Sequence, residues 1–293
     1  MGVKKPIMQQ GFRFALTGAA RTVGFFSLAL AMLPFHILPF FVRDMDRQCV
    51  PMLFHRGLVR LLGLKLRVHG VMSTAKPTLY VSNHTSYLDV PALGALIPAA
   101  FVAKSEVRRW PLIGGMARLQ NTAFIERRVN RVSEQSGMLR KRLEANGNLI
   151  LFPEGTSSDG SRTLPFKSSL FSIVESPLPD GSGIMVQPVT MLCTELGGLP
   201  IGRAWRPYFA WYGDMTLVPH LWNVFCLGHF TVDVIFHPPV RATAFASRKA
   251  LADYCQRQIA QGVEQCVTGR FAQRLAPKKP LAEASADLAE IAP

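Results

Sequence analysis

The sequence has few cysteines, and they lack the spacing that would give them a disulfide or metal-binding role. There are five, an odd number, and no two of them form a C-x-x-C pair. This pattern argues against a disulfide framework or a thiolate zinc site and is typical of a reducing compartment. We expect buried or incidental thiols at Cys49, Cys193, Cys226, Cys255 and Cys266.

Acidic residues are also scarce. The chain has 33 lysines and arginines against 19 aspartates and glutamates, which gives a net charge of +14 and a pI near 10.1. Such a charge favours nucleic acid, acidic lipid surfaces or phosphorylated substrates as partners. The sequence has no zinc-ligand spacing, RNA-recognition signature or basic-zipper pattern, so we expect no nucleic-acid partner. The positive mean hydropathy of +0.18 fits a membrane surface better.

One stretch near the start lacks charge altogether. Residues 22–42 contain no Asp, Glu, Lys or Arg, and they are long enough for a bilayer span, which needs ~20 apolar residues. Basic residues on both sides specify the orientation weakly, and Pro34 and Pro39 would kink a helix. An embedded or re-entrant helix is therefore as consistent with the pattern as a clean span. A cleaved signal peptide is the alternative, but its apolar core is usually ~7–15 residues and precedes an A-x-A-like site.

The next segment, residues 47–67, mixes apolar and basic residues. The basic ones are His55, Arg56, Arg60, Lys65 and Arg67. A basic amphipathic helix suits an interface with anionic lipid. The alternative is a helix that packs on the core and exposes a solvated face, and the apolar run before it favours lipid.

From residue 66 onward, strand patterns alternate with helical ones. This alternation predicts an α/β domain around a mostly parallel sheet flanked by helices. The helical stretches lie at 86–96, 111–120, 130–146 and 247–275. The predicted strands lie at 66–71, 78–83, 99–104, 122–127, 148–154, 184–192 and 230–240.

These patterns divide the chain into four parts. Residues 1–65 form a membrane-associating helical segment, and residues 66–245 form the α/β domain. Residues 246–275 form a C-terminal helix, and we expect the small, polar tail at 276–293 to be disordered.

A histidine and an aspartate follow the strand at 78–83. In open α/β sheets, ligands bind at the carboxyl ends of strands, and His84 stands at such an end. Histidine is the usual general base at neutral pH, and Asp89 would hold its tautomer and stabilise the imidazolium. Five residues along a regular helix would place the two side chains ~140° apart. Contact therefore requires His84 in the turn and Asp89 in the first helical turn.

The same residues also have a purely structural interpretation. Ser86-x-x-Asp89 is close to a capping box, with Asp in place of Glu. Asp89 would then only cap a helix, and His84 would only fill a turn. Taken alone, the H-x4-D spacing favours this interpretation.

A second strand end carries the sequence LFPEGTSSDG, residues 151–160. Glu154 can accept hydrogen bonds from a hydroxylated substrate, Gly155 permits close approach of the backbone, and Thr156, Ser157 and Ser158 supply donors for an oxyanion. The alternative is a plain turn. The basic stretch at 103–128 lies between the two strand ends and can contribute an anion-binding side chain.

These segments resemble those of a known family. The N-H-x4-D of residues 83–89 and the F-P-E-G-T of residues 152–156 are similar to the paired signatures of the lysophosphatidic acid acyltransferase family. Two further blocks match in order: Lys104 with W-P-x-x-G at 110–114 and F-I-E-R at 124–127, and V-Q-P-V at 186–189. The chain lacks a G-x-S-x-G motif, which weakens a serine hydrolase interpretation.

The resemblance implies a membrane-bound enzyme of membrane lipid and phospholipid biosynthesis. It would move an acyl group from acyl-CoA or acyl carrier protein to a lysolipid hydroxyl at the inner (cytoplasmic) membrane, with the active site facing the cytoplasm and no metal or other cofactor. His84 would be the general base and Asp89 its orienting partner. Substrate binding is implied for Asn83, Lys104, Arg127, Phe152, Pro153, Glu154, Gly155, Thr156, Ser157 and Lys167.

One position departs from the family pattern. Many lysophosphatidic acid acyltransferases have an arginine after F-P-E-G-T, where this chain has Ser157; Arg162 and Lys167 follow instead. With WYGDM at 211–215 and HLW at 220–222, the pattern is more similar to the lyso-ornithine-lipid branch. Two other hypotheses are a metal-dependent hydrolase that uses His84, Asp89 and Glu154, and a non-catalytic protein that binds acidic lipid.

Overall fold

The computed structural model describes residues 12–36, 48–125, 132–145 and 147–269. The helices are α1 (Phe12–Met32), α2 (Cys49–Leu62), α3 (Asp89–Gly94), α4 (Ile113–Leu119), α5 (Val132–Glu144), α6 (Leu217–Leu227) and α7 (Arg248–Thr268). The strands are β1 (Lys65–Gly70), β2 (Thr78–Ser82), β3 (Ala100–Lys104), β4 (Ala123–Ile125), β5 (Leu149–Leu151), β6 (Met185–Leu196), β7 (Leu199–Pro200), β8 (Phe230–Phe236) and β9 (Val240–Arg241).

The strands form one mixed sheet in the order β1-β8-β6-β2-β5-β3-β4, and the short strands β7 and β9 pair with β6. Strand β2 lies between β6 and β5 and is parallel to both. Its register with β5 sets Val81 opposite Leu151. Because both strands end at the same edge of the sheet, the loops that follow them are neighbours.

Helices cover both faces of this sheet. Successive residues of a strand point to opposite faces, so Tyr80 packs with α2, α3 and α6, while Leu79 and Val81 pack with α5 and α7. All five residues of β2 are buried. This confirms the predicted fold class, which is a mostly parallel sheet flanked by helices and preceded by an apolar helix.

The predicted strands occur with small shifts, and two differences matter for the site. The fifth strand ends at Leu151 instead of residue 154, because Pro153 has no N–H for the ladder and Gly155 has a φ of +67°. Strand β6 pairs in antiparallel fashion with β8, and also with the short strands β7 and β9, whereas the other pairs in the sheet are parallel. The predicted tail at 276–293 lies outside the described residues.

Helix α1 carries much of the charge-free run. The segment Arg13–His36 spans 24 residues and contains an 18-residue window with a mean hydropathy of 1.5, of which 6% is buried inside the protein. By length and composition it can cross a membrane. Helix α1 itself ends at Met32, before a 3-10 turn at Pro34–His36. Pro34 therefore follows the end of the helix instead of kinking it. Residues 37–42 of the run lie outside the described part.

Helix α2 is amphipathic but packs more of its surface on the core than the lipid interpretation predicts. Its residues Val50, Phe54 and Leu58 are buried in the core. His55, predicted on the basic face, is 2% exposed. Arg67 lies on β1 and pairs with Asp233 and Glu195. The predicted basic face is therefore wrong for His55, which is buried, and for Arg67, which lies on a strand and outside the helix.

The apolar helix α6 was not predicted. It packs against α1, and the two helices approach closely at Gly18, where a Cβ would lie 2.6 Å from the Sγ of Cys226. Arg21 of α1 donates a hydrogen bond from Nη1 to the carbonyl oxygen of Phe225 at 2.9 Å. A cation at the carboxyl end of a helix is favourable, so the basic residue directly before the charge-free run joins α1 to α6.

Candidate active site

The loop after β2 brings His84 and Asp89 together. The Nδ1 of His84 lies 2.8 Å from the Oδ2 of Asp89. The side chain of Asp89 is 0% exposed, whereas that of His84 is 23% exposed. Because the carboxylate accepts the Nδ1 proton, the Nε2 of the imidazole carries the lone pair that can accept another proton.

The carboxylate of Asp89 also organises the turn. Its Oδ2 accepts hydrogen bonds from the backbone N–H of Thr85 at 2.6 Å and of Ser86 at 3.0 Å, and its Oδ1 accepts one from the Thr85 hydroxyl at 3.2 Å. The hydroxyl of Ser86 accepts from the N–H of Leu88. Helix α3 begins at Asp89 instead of residue 86. The predicted cap is therefore not formed, since the helix has Leu88 as its N-cap and no side-chain cap hydrogen bond; one carboxylate holds both the turn before the helix and the imidazole.

The loop after β5 holds His84 from the other side. The ring of Phe152 stacks on the imidazole with centroids 4.3 Å apart and planes inclined by 22°. The N–H of Ser158 donates to the carbonyl oxygen of His84 at 2.9 Å. The N–H of His84 donates to the Oε1 of Glu154 at 3.3 Å. These contacts fix both the ring and the backbone of the histidine.

Glu154 is buried behind the histidine. It is 3% exposed, and its Oε2 is buried and makes no hydrogen bond of normal geometry. Burial raises the pKa of Glu154 to about 8; the amides of His84 and Leu164 oppose this shift, and the charge of Asp89 adds to it. The sequence predicts that Glu154 binds the substrate, but the structure places it against the backbone of His84.

Asn83 has its side-chain amide fully engaged. Its Nδ2 donates to the carbonyl oxygen of Met191 at 2.7 Å, and its Oδ1 accepts from the N–H of Met191 at 2.9 Å. The residue is 2% exposed. This pair of hydrogen bonds extends the contact between β2 and β6 by one residue and fixes the position at which His84 leaves the sheet.

The remaining residues predicted to bind substrate occupy mixed positions. The carbonyl oxygen of the buried Pro153 accepts from the N–H of Lys167, whose side chain is exposed. Thr156 is exposed and Ser157 is half-buried. Lys104 is half-buried at the end of β3. Arg127 lies outside the described residues.

Sequence reasoning gave no role to the segment 203–212, which also borders the histidine loop. The N–H of Trp211 donates to the carbonyl oxygen of Thr85 at 2.8 Å. The ring of Trp211 makes edge contacts with Tyr87 and Trp110, at centroid distances of 5.9 and 6.0 Å. The hydroxyl of Tyr87 lies 2.8 Å from the Nδ1 of His220. The sequence motifs at 211–215 and 220–222 pointed to this region, but they did not predict which residues it contacts.

Comparisons with known proteins agree with this geometry. The family model described as Acyltransferase matches residues 65–192. The lyso-ornithine lipid O-acyltransferase of Brucella abortus is 38% identical over 247 residues, which cover 83% of this chain and 92% of the relative. The chain belongs to the lysophosphatidic acid acyltransferase family. It is therefore a lysolipid acyltransferase of lipid biosynthesis, and neither a metal-dependent hydrolase nor a non-catalytic lipid-binding protein.

Other members of this acyltransferase family are also similar. The lyso-ornithine lipid O-acyltransferase of Rhizobium meliloti is 38% identical over 250 residues, 84% of each chain. The 1-acyl-sn-glycerol-3-phosphate acyltransferase of Neisseria meningitidis is 31% identical over 207 residues, 70% of this chain and 76% of the relative. A solved structure, the 1-acyl-sn-glycerophosphate acyltransferase of Thermotoga maritima, has a TM-score of 0.60 at 24% identity, with coverage of 86% and 97%. The last likeness supports the fold alone.

In the described part of the chain, no three His, Cys, Asp or Glu side chains gather where they could hold a metal ion. The donors around Asp89 are amides and a hydroxyl, together with the imidazole. That catalysis proceeds without a cofactor stays a prediction.

Proposed function

We propose that this enzyme acylates the free hydroxyl of lyso-ornithine lipid with an acyl thioester of coenzyme A or acyl carrier protein. The contact between His84 and Asp89 at the end of β2 carries the chemical part of this proposal. Two relatives named for lyso-ornithine lipid are 38% identical, whereas the Neisseria meningitidis relative named for 1-acyl-sn-glycerol-3-phosphate is 31% identical. Ser157, in place of an arginine, agrees with an acceptor other than a phosphate monoester.

In the proposed reaction, the Nε2 of His84 takes the proton of the acceptor hydroxyl while the hydroxyl oxygen attacks the thioester carbonyl. Asp89 holds the tautomer and stabilises the imidazolium. The tetrahedral intermediate collapses with cleavage of the carbon–sulfur bond, and the imidazolium returns its proton to the leaving thiolate. The products are an ester and a free thiol.

The other predicted residues have supporting or binding roles in this proposal. Asn83, Phe152, Pro153, Glu154 and Gly155 position the histidine and its loop. Thr156 and Ser157 are more accessible and supply donors to the oxyanion. Each such donor contributes ~10²–10³-fold to the rate. Lys104, Lys167 and Arg127 bind the anionic parts of the donor or acceptor in this proposal.

Membrane association follows from α1 and from the family, and the inner membrane with a cytoplasmic active site is the finer proposal. Acyl-CoA and acyl carrier protein are cytoplasmic, so the donor must be met on that side. The apolar segment Arg13–His36 supports an anchor within residues 1–65. Residues 66–245 are then the catalytic domain, and α7 (Arg248–Thr268) lies within the predicted C-terminal helix at 246–275.

The test is acyl transfer by membranes that contain the protein, with labelled acyl-CoA or acyl carrier protein and a panel of lysolipids, with and without a chelator. We expect chelator-resistant acylation of lyso-ornithine lipid that falls by ~10²–10⁴-fold in His84→Ala, because general base catalysis contributes that much. Transfer only to 1-acylglycerol-3-phosphate would overturn the proposed acceptor. Full activity of His84→Ala would overturn the proposed base.

A further inference from the structure

Two segments outside the catalytic pair border the histidine loop; segment 158–164 carries Asp159 and the exposed Arg162, and segment 203–212 carries Arg203 and Arg206. Segment 158–164 crosses the loop: the N–H of Ser158 binds the carbonyl oxygen of His84, and a Cβ on Gly160 would lie 3.6 Å from the Cγ2 of Thr85. Segment 203–212 is held to the carbonyl oxygen of Thr85 by the N–H of Trp211 at 2.8 Å. Both segments are therefore next to His84, which takes the proton of the acceptor hydroxyl in the proposed reaction.

The two segments meet at Ser161. The Nη1 of Arg206 donates to the hydroxyl of Ser161 at 2.9 Å, and the Oδ1 of Asp159 accepts from the N–H of Ser161 at 2.9 Å. A guanidinium and a carboxylate are thus held on the side chain and the backbone of one serine. Arg206 and Asp159 are both half-buried, so each retains access to solvent.

Arg206 has donor capacity that the described residues leave unused. Its Nε is buried and has no hydrogen-bond partner among them. The same holds for the hydroxyls of Thr163 and Tyr208, which follow Ser161 and Arg206 by two residues in their segments. A buried donor without an acceptor is costly, and a carboxylate fits the fork of a guanidinium with two hydrogen bonds.

We propose that Arg206 and Asp159, joined through Ser161, form the binding site for a zwitterionic amino-acid head group of the acceptor. The guanidinium of Arg206 receives the carboxylate, and the carboxylate of Asp159 receives the ammonium. This site deepens the proposed function and rests on it, because ornithine carries both charges. A phosphate monoester would gain from Arg206 but would be repelled by Asp159, so the arrangement also selects against that acceptor.

The test uses the full chain in membranes and measures KM and kcat for lyso-ornithine lipid and for 1-acylglycerol-3-phosphate. We expect Arg206→Gln to raise KM for lyso-ornithine lipid by about 10- to 100-fold, the usual loss for a charge-assisted bond, with little change in kcat. Arg206→Lys should recover part of this loss, because it keeps the charge but not the fork. Asp159→Asn should raise KM for lyso-ornithine lipid and lower it for the phosphate acceptor.

Matched controls are Arg203→Gln, an exposed arginine three residues from Arg206, and Asp253→Asn, an exposed aspartate on α7. Neither should shift the ratio of the two KM values. Retention of kcat by Arg206→Gln and Asp159→Asn shows that they fold; should Arg206→Gln fold poorly, Arg206→Lys and Asp159→Asn carry the test.

The failure of this site is distinguishable from the failure of the proposed acceptor. If the unaltered enzyme does not use lyso-ornithine lipid, the proposed acceptor is wrong whatever the variants do. If it uses that lipid but the variants shift both acceptors equally, or behave like the controls, the head-group site is wrong and the acceptor stands.

Discussion

The loops after β2 and β5 each bury one carboxyl group beside His84, but they hold it in opposite ways. Asp89 is 0% exposed and Glu154 is 3% exposed. Asp89 accepts four hydrogen bonds, one of them from the imidazole. Glu154 accepts one from the His84 amide at 3.3 Å, and its other oxygen makes none of normal geometry.

The difference between the two carboxyl groups lies in the donors around them, because both are buried to a similar degree. Four donors suit the anion that must face an imidazolium. With a single well-formed bond and the Asp89 charge nearby, burial raises the pKa of Glu154 to about 8. The two loops therefore bury their carboxyl groups in different surroundings, Asp89 among hydrogen-bond donors and Glu154 with its Oε2 unpartnered among the described residues.

The largest expected effect comes from removing the charge of Asp89 in the loop after β2. Asp89→Asn replaces the anion with a neutral amide that cannot stabilise the imidazolium, and its NH₂ opposes the amide donors of the turn. We expect kcat to fall by ~10²–10⁴-fold. The measurement is the initial rate of acyl transfer by membranes, normalised to the amount of folded protein. The double variant with His84→Ala should fall little further, because the two residues act as a unit.

The control for this comparison is Asp253→Asn, the same chemical change at an exposed position of α7. It should keep the full rate. Near-normal activity of Asp89→Asn would contradict the role of Asp89 beside the histidine. The contacts of Asp89 with the turn would then be the remaining explanation for this residue.

A pH-dependent effect is expected in the second loop. Since the folded-state pKa of Glu154 is raised from 4.5 to about 8, the unfolded chain binds fewer protons between these values. Stability contributed by this group is therefore full below about pH 4.5 and is lost as pH rises through about 8. Glu154→Gln resembles the protonated form and should flatten that part of the melting-temperature profile. The measurement is thermal unfolding from pH 5 to 9, in steps of about one pH unit.

The same variant should also separate rate from stability. Ionised Glu154 would place a second negative charge beside Asp89, so we expect the rate of the unaltered enzyme to fall above about pH 8, and Glu154→Gln to keep more of its rate there. Identical pH profiles for the two proteins, in both rate and melting, would show that Glu154 is already ionised at neutral pH.

Much of the fold was predictable because the buried strands are short apolar runs bounded by turns. The contact between His84 and Asp89 was also predictable, since the spacing requires a turn and Ser86 permits one. Local patterns could not predict that the Asp89 carboxylate also binds the amides of Thr85 and Ser86 in the turn before the helix, because those contacts depend on a folded turn. They also could not place Glu154 behind His84, since burial of a polar residue follows from how two strand ends meet.

The antiparallel pairing of β6 with β8 and the helix α6 were beyond the sequence patterns for a similar reason. Residues 217–227 form an apolar helix of only 11 residues whose packing partner, α1, is distant along the chain. The contact of Arg206 with Ser161 joins positions 45 residues apart, and Arg206 lies outside the motifs that resembled a family. Such contacts arise from tertiary packing, which periodicity does not report.

The smallest expected effect concerns the backbone that carries Glu154. Gly155 has a φ of +67°, and its N–H donates to the carbonyl oxygen of Phe152 at 3.1 Å. An L-residue in this left-handed region costs roughly 1–2 kcal/mol, so Gly155→Ala should lower the melting temperature by a few degrees and weaken the stacking of Phe152 on His84. The matched control is Gly115→Ala in α4, where a Cβ meets nothing within 4 Å; alanine should be neutral or stabilising there. Equal melting temperatures for the two variants would show that the left-handed turn is not what holds the second loop, and that its contacts with His84 suffice.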